Sequence, residues 1–309
     1  MIRSITYICM SYNYACYMPE NRDGLLAQTR APDRVLVTDD RSNDTKAEIE
    51  AIWAGVPGLE VIRNAENMGS MAHARRNCEL VTTDAYITMS ADDKLIDPTY
   101  LQTACEILDR HPNVSVVYGP HRSVHDGEVL AEPPKLDDAP YTILNGDTLR
   151  LQMAHANVVS SLCPVVRRSV HETVPPYPVR NELAGDWIHW YLLMTTGDYA
   201  RINHPVCDYR VHPDGLYQTF MRSPTYGTAL AEAYDALIAW PTLPRGDIQH
   251  LRRGRARARI RYARAADLPG VFLAEAKQTA AWRALGETAR ERVEGRITRL
   301  KRRFMGNES

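Results

Sequence analysis

Two places in the 309-residue chain set adjacent carboxylates at the end of an apolar run: "VLVTDD", closing on Asp39 and Asp40, and "YITMSADD", closing on Asp92 and Asp93. A third apolar run, "SITYICM", passes into the uncharged polar group Ser11, Tyr12 and Asn13. Side-by-side carboxylates repel unless a proton, a hydrogen-bond donor or a cation intervenes. Hard oxygen ligands suit Mg2+ or Mn2+, so one chemistry open to such pairs is holding a divalent ion against an anionic substrate. The other is local: Asp40 stands just before "RSNDTKAEIEAI" and could cap that helix. For Asp92 and Asp93 the capping reading is weaker, because "KLIDP" follows before any helix.

The elements that would position these groups alternate between two periods. "SITYICM", "RVLVTD", "LEVIRN", "AYITMS" and "VSVVY" read as strands. Between them "ENRDGLLAQTR", "SNDTKAEIEAIWAG", "GSMAHARRNCEL" and "TYLQTACEILDRH" read as helices, the second with Ser42 or Asn43 as its cap and Gly55 beyond its end, the last opened by Pro98. Strand–helix–strand at this spacing predicts right-handed crossovers and an α/β fold, its mostly parallel sheet flanked by helices. Ligands of such sheets bind outside the carboxyl ends of the strands, which is where the polar clusters fall. Neither GxGxxG nor GxxxxGK[ST] is present, which excludes a standard dinucleotide binder and a P-loop nucleotidase.

Composition narrows the class further. With 44% hydrophobic residues the chain can bury one large domain or one domain and an appendage. Six cysteines show no CxxC pair, which points to a reducing compartment. The N-terminus turns polar too soon for a signal peptide, and no window reaches the roughly 18 apolar residues of a membrane span. These features predict a cytoplasmic protein. The net charge of −1 hides a split: from His250 onward 16 Lys and Arg face 6 Asp and Glu, leaving 21 against 32 before it. The tail reads as Arg-rich helices, "TALAEAYDALIAW", then "IQHLRRGRARARIRYARAADL" and "VFLAEAKQTAAWRALGETARERVEGRITRLKRRF", with "PTLPRGD" as a breaker. Its mixture of Arg with Leu, Ile and Phe suits an anionic membrane surface at the inner face, or a second subunit in a homo-oligomer. Nothing in it resembles a nucleic-acid-binding motif.

Five segments, in order from about Ile2 to Gly215, resemble the family 2 glycosyltransferases of the GT-A fold. "MSYNY" looks like the family's P-T-Y-N strand end, and "VTDDRSNDT" is similar to its V-D-D-G-S-T-D-x-T. "NMGSMAHARRN" resembles N-x-G-x-x-x-A-R-N, "YITMSADDKLIDP" the metal-binding D-x-D-D strand end, and "ELAGDWIHWYLLMTTGDYARINHPVCDYRVHPDG" the acceptor-side block with its Y-R-x-H close. Arg41 replaces a usual Gly and Ser90 the first Asp of D-x-D-D.

The resemblance implies a GT-A domain over residues 1–219, its nucleotide-sugar-binding half at 1–120 and its acceptor-binding half at 121–219, followed by a basic helical extension over 220–309. It implies an inverting transferase that uses Mn2+ or Mg2+ and a nucleotide-sugar donor, acting on a glycan or lipid-linked acceptor in surface-polysaccharide synthesis. By the same resemblance Asp93 and His212 would hold the metal, and Asp92 the ribose or a metal-bound water. Asp39 would accept from the N3–H of uracil or thymine, although guanine also offers ring donors. Tyr12 would stack on the base, with Ser11 and Asn13 completing the wall and Arg76 reaching the base or phosphates. Asp186 would be the general base, Trp187 an acceptor contact and Trp190 a core residue. A sugar-phosphate nucleotidyltransferase would instead need a glycine-rich triphosphate loop with a Lys, which "MSYNYACYMPENRDG" lacks. A non-catalytic sugar-nucleotide-binding module is the third reading.

Overall fold

A computed structural model describes residues 1–134, 137–159, 162–179, 181–213, 215, 225–263, 267–279 and 290. Chain contacts divide it into two units, one of residues 1–153 and 157–219, the other of 154–156 and 220–309.

The first unit opens as the periodicity predicts, with β1 (Ile5–Ser11), α1 (Met18–Leu26), β2 (Arg34–Asp39), α2 (Lys46–Ile52), β3 (Leu59–Arg63), α3 (Ser70–Glu79) and β4 (Ala85–Ser90). β5 (Lys94–Leu95), α4 (Tyr100–Arg110), β6 (Val114–Tyr118), β7 (His121–His125), β8 (Glu128–Ala131), β9 (Tyr141–Leu144) and α5 (Gly146–Met153) follow. The unit closes with β10 (Val165–Arg167), α6 (Gly185–Leu193), β11 (Asp198–Ile202) and β12 (Cys207–Arg210). β1, β2, β4 and β6 are apolar nearly throughout because helices cover both faces of their sheet. On α4 the buried Tyr100, Leu101, Ala104, Cys105, Ile107 and Leu108 repeat at helical spacing, which fixes the face laid on that sheet.

The cap of α2 differs from the expectation. Thr45 accepts from the Glu48 amide at 3.2 Å while the Glu48 carboxylate accepts from the Thr45 amide at 2.7 Å, a capping box. Ser42 is unavailable because it serves Asp39. Gly55 does end this segment, in the left-handed conformation at φ +81°.

Eight strands form the main sheet in the order β3-β2-β1-β4-β10-β6-β11-β9. All pairs are parallel except those made by β10 and β9. The carboxyl ends of β1, β2, β4, β6 and β11 therefore share one edge. A second sheet, β5-β12-β7-β8, begins with the strand that leaves Asp93 and includes the strand that leads to His212.

The second unit contains α7 (Tyr226–Ile238), α8 (Asp247–Tyr262) and α9 (Leu268–Thr279). Leu251, Gly254, Ala256, Ala258 and Ile260 are the buried face of α8. Part of its positive charge is spent internally: Arg255 pairs with Asp235 at 2.5 Å, and both Arg255 and Arg259 meet the fully buried Glu275. The expected basic terminus "GRITRLKRRFM" lies outside the described residues. No helix among the described residues is long and apolar enough to cross a membrane.

Candidate active site

The carboxyl end of β4 turns sharply at Ser90–Asp93, and α1 holds the turn. Asn21, buried on α1, donates to the carbonyls of Ser90 at 3.0 Å and Asp93 at 2.9 Å, and accepts from the Tyr7 hydroxyl at 2.8 Å. Gly24 lets α1 lie this close: a Cβ there would sit 2.7 Å from the Leu95 carbonyl oxygen.

The turn aims its two carboxylates differently. Asp92 Oδ2 lies 3.0 Å from Nε2 of the buried His212, and Asp92 Oδ1 accepts from Ser90 Oγ. His212 packs against the rings of Tyr14 and Tyr17, at 5.3 and 5.0 Å, and its Nδ1 is buried with no hydrogen-bond partner among the described residues. Arg210 locks the pair from behind: its Nε donates to the Asp92 carbonyl at 3.0 Å, its guanidinium meets Glu20 at 2.8 Å, and it lies 4.9 Å over the Tyr17 ring. Asp93 is held differently. It is 2% exposed, its Oδ1 accepts from the Arg210 amide at 3.1 Å, and burial followed by the Asp92 charge pushes its pKa well above the usual carboxylate range. The carboxylate facing His212 is Asp92.

The strand ends beside it form a connected wall. Ser11 is buried and its hydroxyl has no hydrogen-bond partner among the described residues, whereas Tyr12 is 48% exposed. Asn13, at φ +60°, accepts from the Asn43 amide at 2.8 Å and donates its own amide to Ser42 Oγ at 2.7 Å, so it ties the first strand end to the second. Asp39 closes the second strand end. It is fully buried, bonded to Ser42 and 3.2 Å from Arg63, so its oxygens already hold protein donors. Asp40 accepts from Asn64 at 2.7 Å and from the amides of Met68 at 2.9 Å and Gly69 at 3.0 Å. It therefore pins the loop entering α3 instead of capping α2.

On α3, Arg75 is exposed and paired with Glu79 one turn on, while Arg76 is half-buried with no hydrogen-bond or salt-bridge partner among the described residues. His73, which the sequence reading passed over, is buried beside Asp39, Asp40 and Arg76. Burial lowers its pKa against the pull of the two carboxylates.

Asp186 stands in the first turn of α6, its Oδ1 accepting from the Trp187 amide at 2.7 Å. The start of this helix is fixed on α3. A Cβ at Gly185 would meet Met71 Sδ at 2.4 Å, and Glu182 accepts from Ser70 Oγ at 2.7 Å and the Met71 amide at 3.1 Å. Glu182 was not anticipated, since nothing in "RNELAGDW" distinguishes it from a surface acid. Trp187 is placed otherwise than expected: it is 5% exposed and its indole N–H donates to the Met153 carbonyl at 2.9 Å. Trp190 is in the core, as expected.

The arrangement thus joins Asp92 to His212, and links Asp186 through α3 to Asp40. Among the described residues, no three His, Cys, Asp or Glu side chains gather into a ready-made cation cage.

Known proteins resemble this chain in fold and in sequence. S. aureus TarS 1-349 in complex with UDP superposes with a TM-score of 0.64 at 14% identity, over 93% of this chain and 91% of that one. The mannosyltransferase PcManGT of Pyrobaculum calidifontis, in complex with GDP-Man and Mn2+, gives a TM-score of 0.61 at 19% identity, over 96% and 80%. Uncharacterized proteins of Mycobacterium tuberculosis and Mycobacterium bovis are 27% identical over 220 residues, 70% of this chain, which spans 61% of their length. The sequence profile of glycosyl transferase family 2 matches residues 6–174, more than half of the chain. By that match the chain belongs to glycosyl transferase family 2.

Proposed function

We propose that the chain is a metal-dependent inverting glycosyltransferase, moving a sugar from a nucleoside-diphosphate donor to a hydroxyl of a glycan or glycolipid. The observation that carries this reading is the Asp92–His212 pair at the carboxyl edge of the sheet. A hard divalent cation is held by one or two protein ligands together with substrate phosphates and water. Two ligand atoms about 2.1 Å from such an ion and at right angles lie about 3.0 Å apart, which is the spacing of Asp92 Oδ2 and His212 Nε2. The unpartnered Nδ1 of His212 can carry the proton that leaves Nε2 free to ligate. The donor set therefore fits Mn2+ or Mg2+, with Asp92 taking the role first given to Asp93. When bound, the cation would neutralise charge gathering on the departing diphosphate.

The remaining roles fall to the protein's own groups. Ser11 Oγ, buried and unpaired, would donate to the base, and the exposed ring of Tyr12 would stack on it. Arg76 would meet a phosphate. Asp186 would take the proton from the attacking hydroxyl. With Asp39 committed to Arg63, the uridine or thymidine preference loses its stated support, and Ser11 and Tyr12 accept a purine equally well. TarS with UDP and PcManGT with GDP-Man and Mn2+ support a nucleotide-linked donor of either kind. An acceptor in surface-polysaccharide synthesis would bring the enzyme to the inner membrane face, where exposed Arg253 and Arg261 of α8 meet anionic lipid.

The test is thermal-shift and calorimetric titration of the full chain with UDP, dTDP and GDP, each with and without Mn2+. One nucleotide should stabilise the protein strongly and lose most of that effect without the ion. No stabilisation by any of the three in Mn2+ would sink the reading.

A further inference from the structure

The parallel run of the sheet brings a second set of side chains to the edge that carries Asp92. Arg201 of β11 pairs in register with Tyr118 of β6, and both strands run toward the edge at which β4 ends. Counted across the sheet, β6 is two strand spacings from β4, about 10 Å, and β11 is about 14 Å from it. Here a cavity of about 460 Å3 opens. Its apolar wall includes the rings of Tyr118 and Pro120, with Val158 and Val159 alongside; its polar groups are His121, Ser123, Glu132, Asn157 and Arg201. The small sheet forms the side toward the acidic turn, because β7, which supplies His121 and Ser123, lies beside the β12 strand that runs on to His212.

The lining selects among ligand classes. A lipid tail would leave Arg201, Glu132 and Asn157 without hydrogen bonds inside the contact. A polyphosphate would meet Glu132 as well as Arg201. Planar polar side chains interleaved with an aromatic ring and prolines suit a ligand whose every face carries hydroxyls and whose ring carries apolar C–H groups. Arg201 is prepared for one. Its Nε is fixed on Asn203 Oδ1 at 3.2 Å, no carboxylate among the described residues pairs with it, and Asn203 is in turn held by Thr142 and the Ala139 carbonyl. The guanidinium thus has a set direction and donors to spare. The volume lies in the range of small-molecule sites.

We propose that this cavity seats a saccharide, the part of the acceptor adjoining the unit that receives the transferred sugar. The proposal rests on the glycosyl-transfer reading and gives the saccharide of its acceptor a location. The full chain, with Mn2+ and whichever nucleoside diphosphate stabilises it, is applied to an array of immobilised mono- to tetrasaccharides. The wild type should retain a defined subset. Val158→Trp places an indole in the cavity from an exposed loop position, and Arg201→Gln keeps a donor for Asn203 while removing the free fork. Each should weaken binding to that subset at least about tenfold, while the nucleoside diphosphate affinity stays within about twofold. Unchanged retention by both variants overturns the proposal, as does a wild-type chain that binds nucleotide and holds no saccharide. Failure of the wild type to bind any nucleotide refutes the broader reading and removes this one with it.

Discussion

Exchanging each carboxylate of the acidic turn for its amide separates two roles that adjacency in sequence conceals. Asp92 Oδ2 faces Nε2 of His212, at the point where a cation would meet the donor diphosphate. Removing one preorganised contact to charge that develops in a transition state costs about 3 kcal/mol, or about 150-fold in rate. Asp92→Asn should therefore lower donor turnover by two orders of magnitude and abolish most of the Mn2+-dependent gain in nucleotide affinity. Asp93 is the opposite case. Its charge is disfavoured by burial and by Asp92, and an Asn of the same shape keeps an oxygen for the Arg210 amide. Asp93→Asn should stay within about fivefold of wild-type turnover, the scale of 1 kcal/mol, with a thermal midpoint unchanged or raised. The assay is release of nucleoside diphosphate from the donor with and without Mn2+, paired with calorimetric affinity. If Asp93→Asn loses as much as Asp92→Asn, or Asp92→Asn turns over at near-wild-type rate, the assignment is wrong.

Four further outcomes follow from the geometry. Asp186→Asn should lower turnover at least about a hundredfold, the general-base contribution, with nucleotide affinity intact; a mutant that transfers sugar at wild-type rate removes the base role. Glu182→Ala deletes the acceptor for Ser70 and Met71 that sets the start of α6 on α3, and should cut kcat about tenfold while Glu182→Gln restores most of it; equal loss in both variants points to charge instead of position. His189 is buried, and desolvation followed by the His171 charge holds its pKa well below the ordinary imidazole value. The native state then carries fewer protons than the unfolded chain, so stability falls as pH drops below about 6.5, by about 1.4 kcal/mol per pH unit for one such group. His189→Gln should flatten the fall of the thermal midpoint between pH 6.5 and 5, and identical slopes would contradict it. Finally, Arg253→Gln with Arg261→Gln should weaken binding to vesicles rich in anionic lipid by about 2 kcal/mol, or about 30-fold; unchanged binding would dispose of the membrane reading.

Much of the frame was legible because periodicity and crossover spacing depend on local sequence. The first five strands and four helices of the reading lie where the structure has them, within a residue or two at most ends and up to four at the end of α1. The strand-end clusters fall on one edge for the same reason. What escaped depends on contacts between segments far apart in the chain. Arg63, Asn21 and Glu182 each act on a partner 19 to 112 residues away, and none carries a local signature. The α2 cap moved to Thr45 because Ser42 had a nearer carboxylate to satisfy, a competition visible only once the two strand ends are side by side. Trp187 turned inward because the Met153 carbonyl offered its indole a buried acceptor.

The same competition explains why the fold sets carboxylates at its strand ends in pairs. Four acidic groups crowd this edge, and each needs an answering partner. Arg63 answers Asp39, while Asn64 and two loop amides answer Asp40. Asp93 is relieved by a raised pKa and the Arg210 amide. Each of these three also builds something: a turn, the approach to α3, or the join between β4 and β12. Among the described residues, Asp92 alone of the four is hydrogen-bonded to an imidazole, whose second nitrogen is buried and unbonded, and Ser90 stands beside it in place of a further carboxylate. A divalent ion is the partner that the proposed function would give this carboxylate. All four are buried, Asp92 the least so at 8% against 2% for Asp93, so a cation site built on Asp92 would be held in place before the ion arrives.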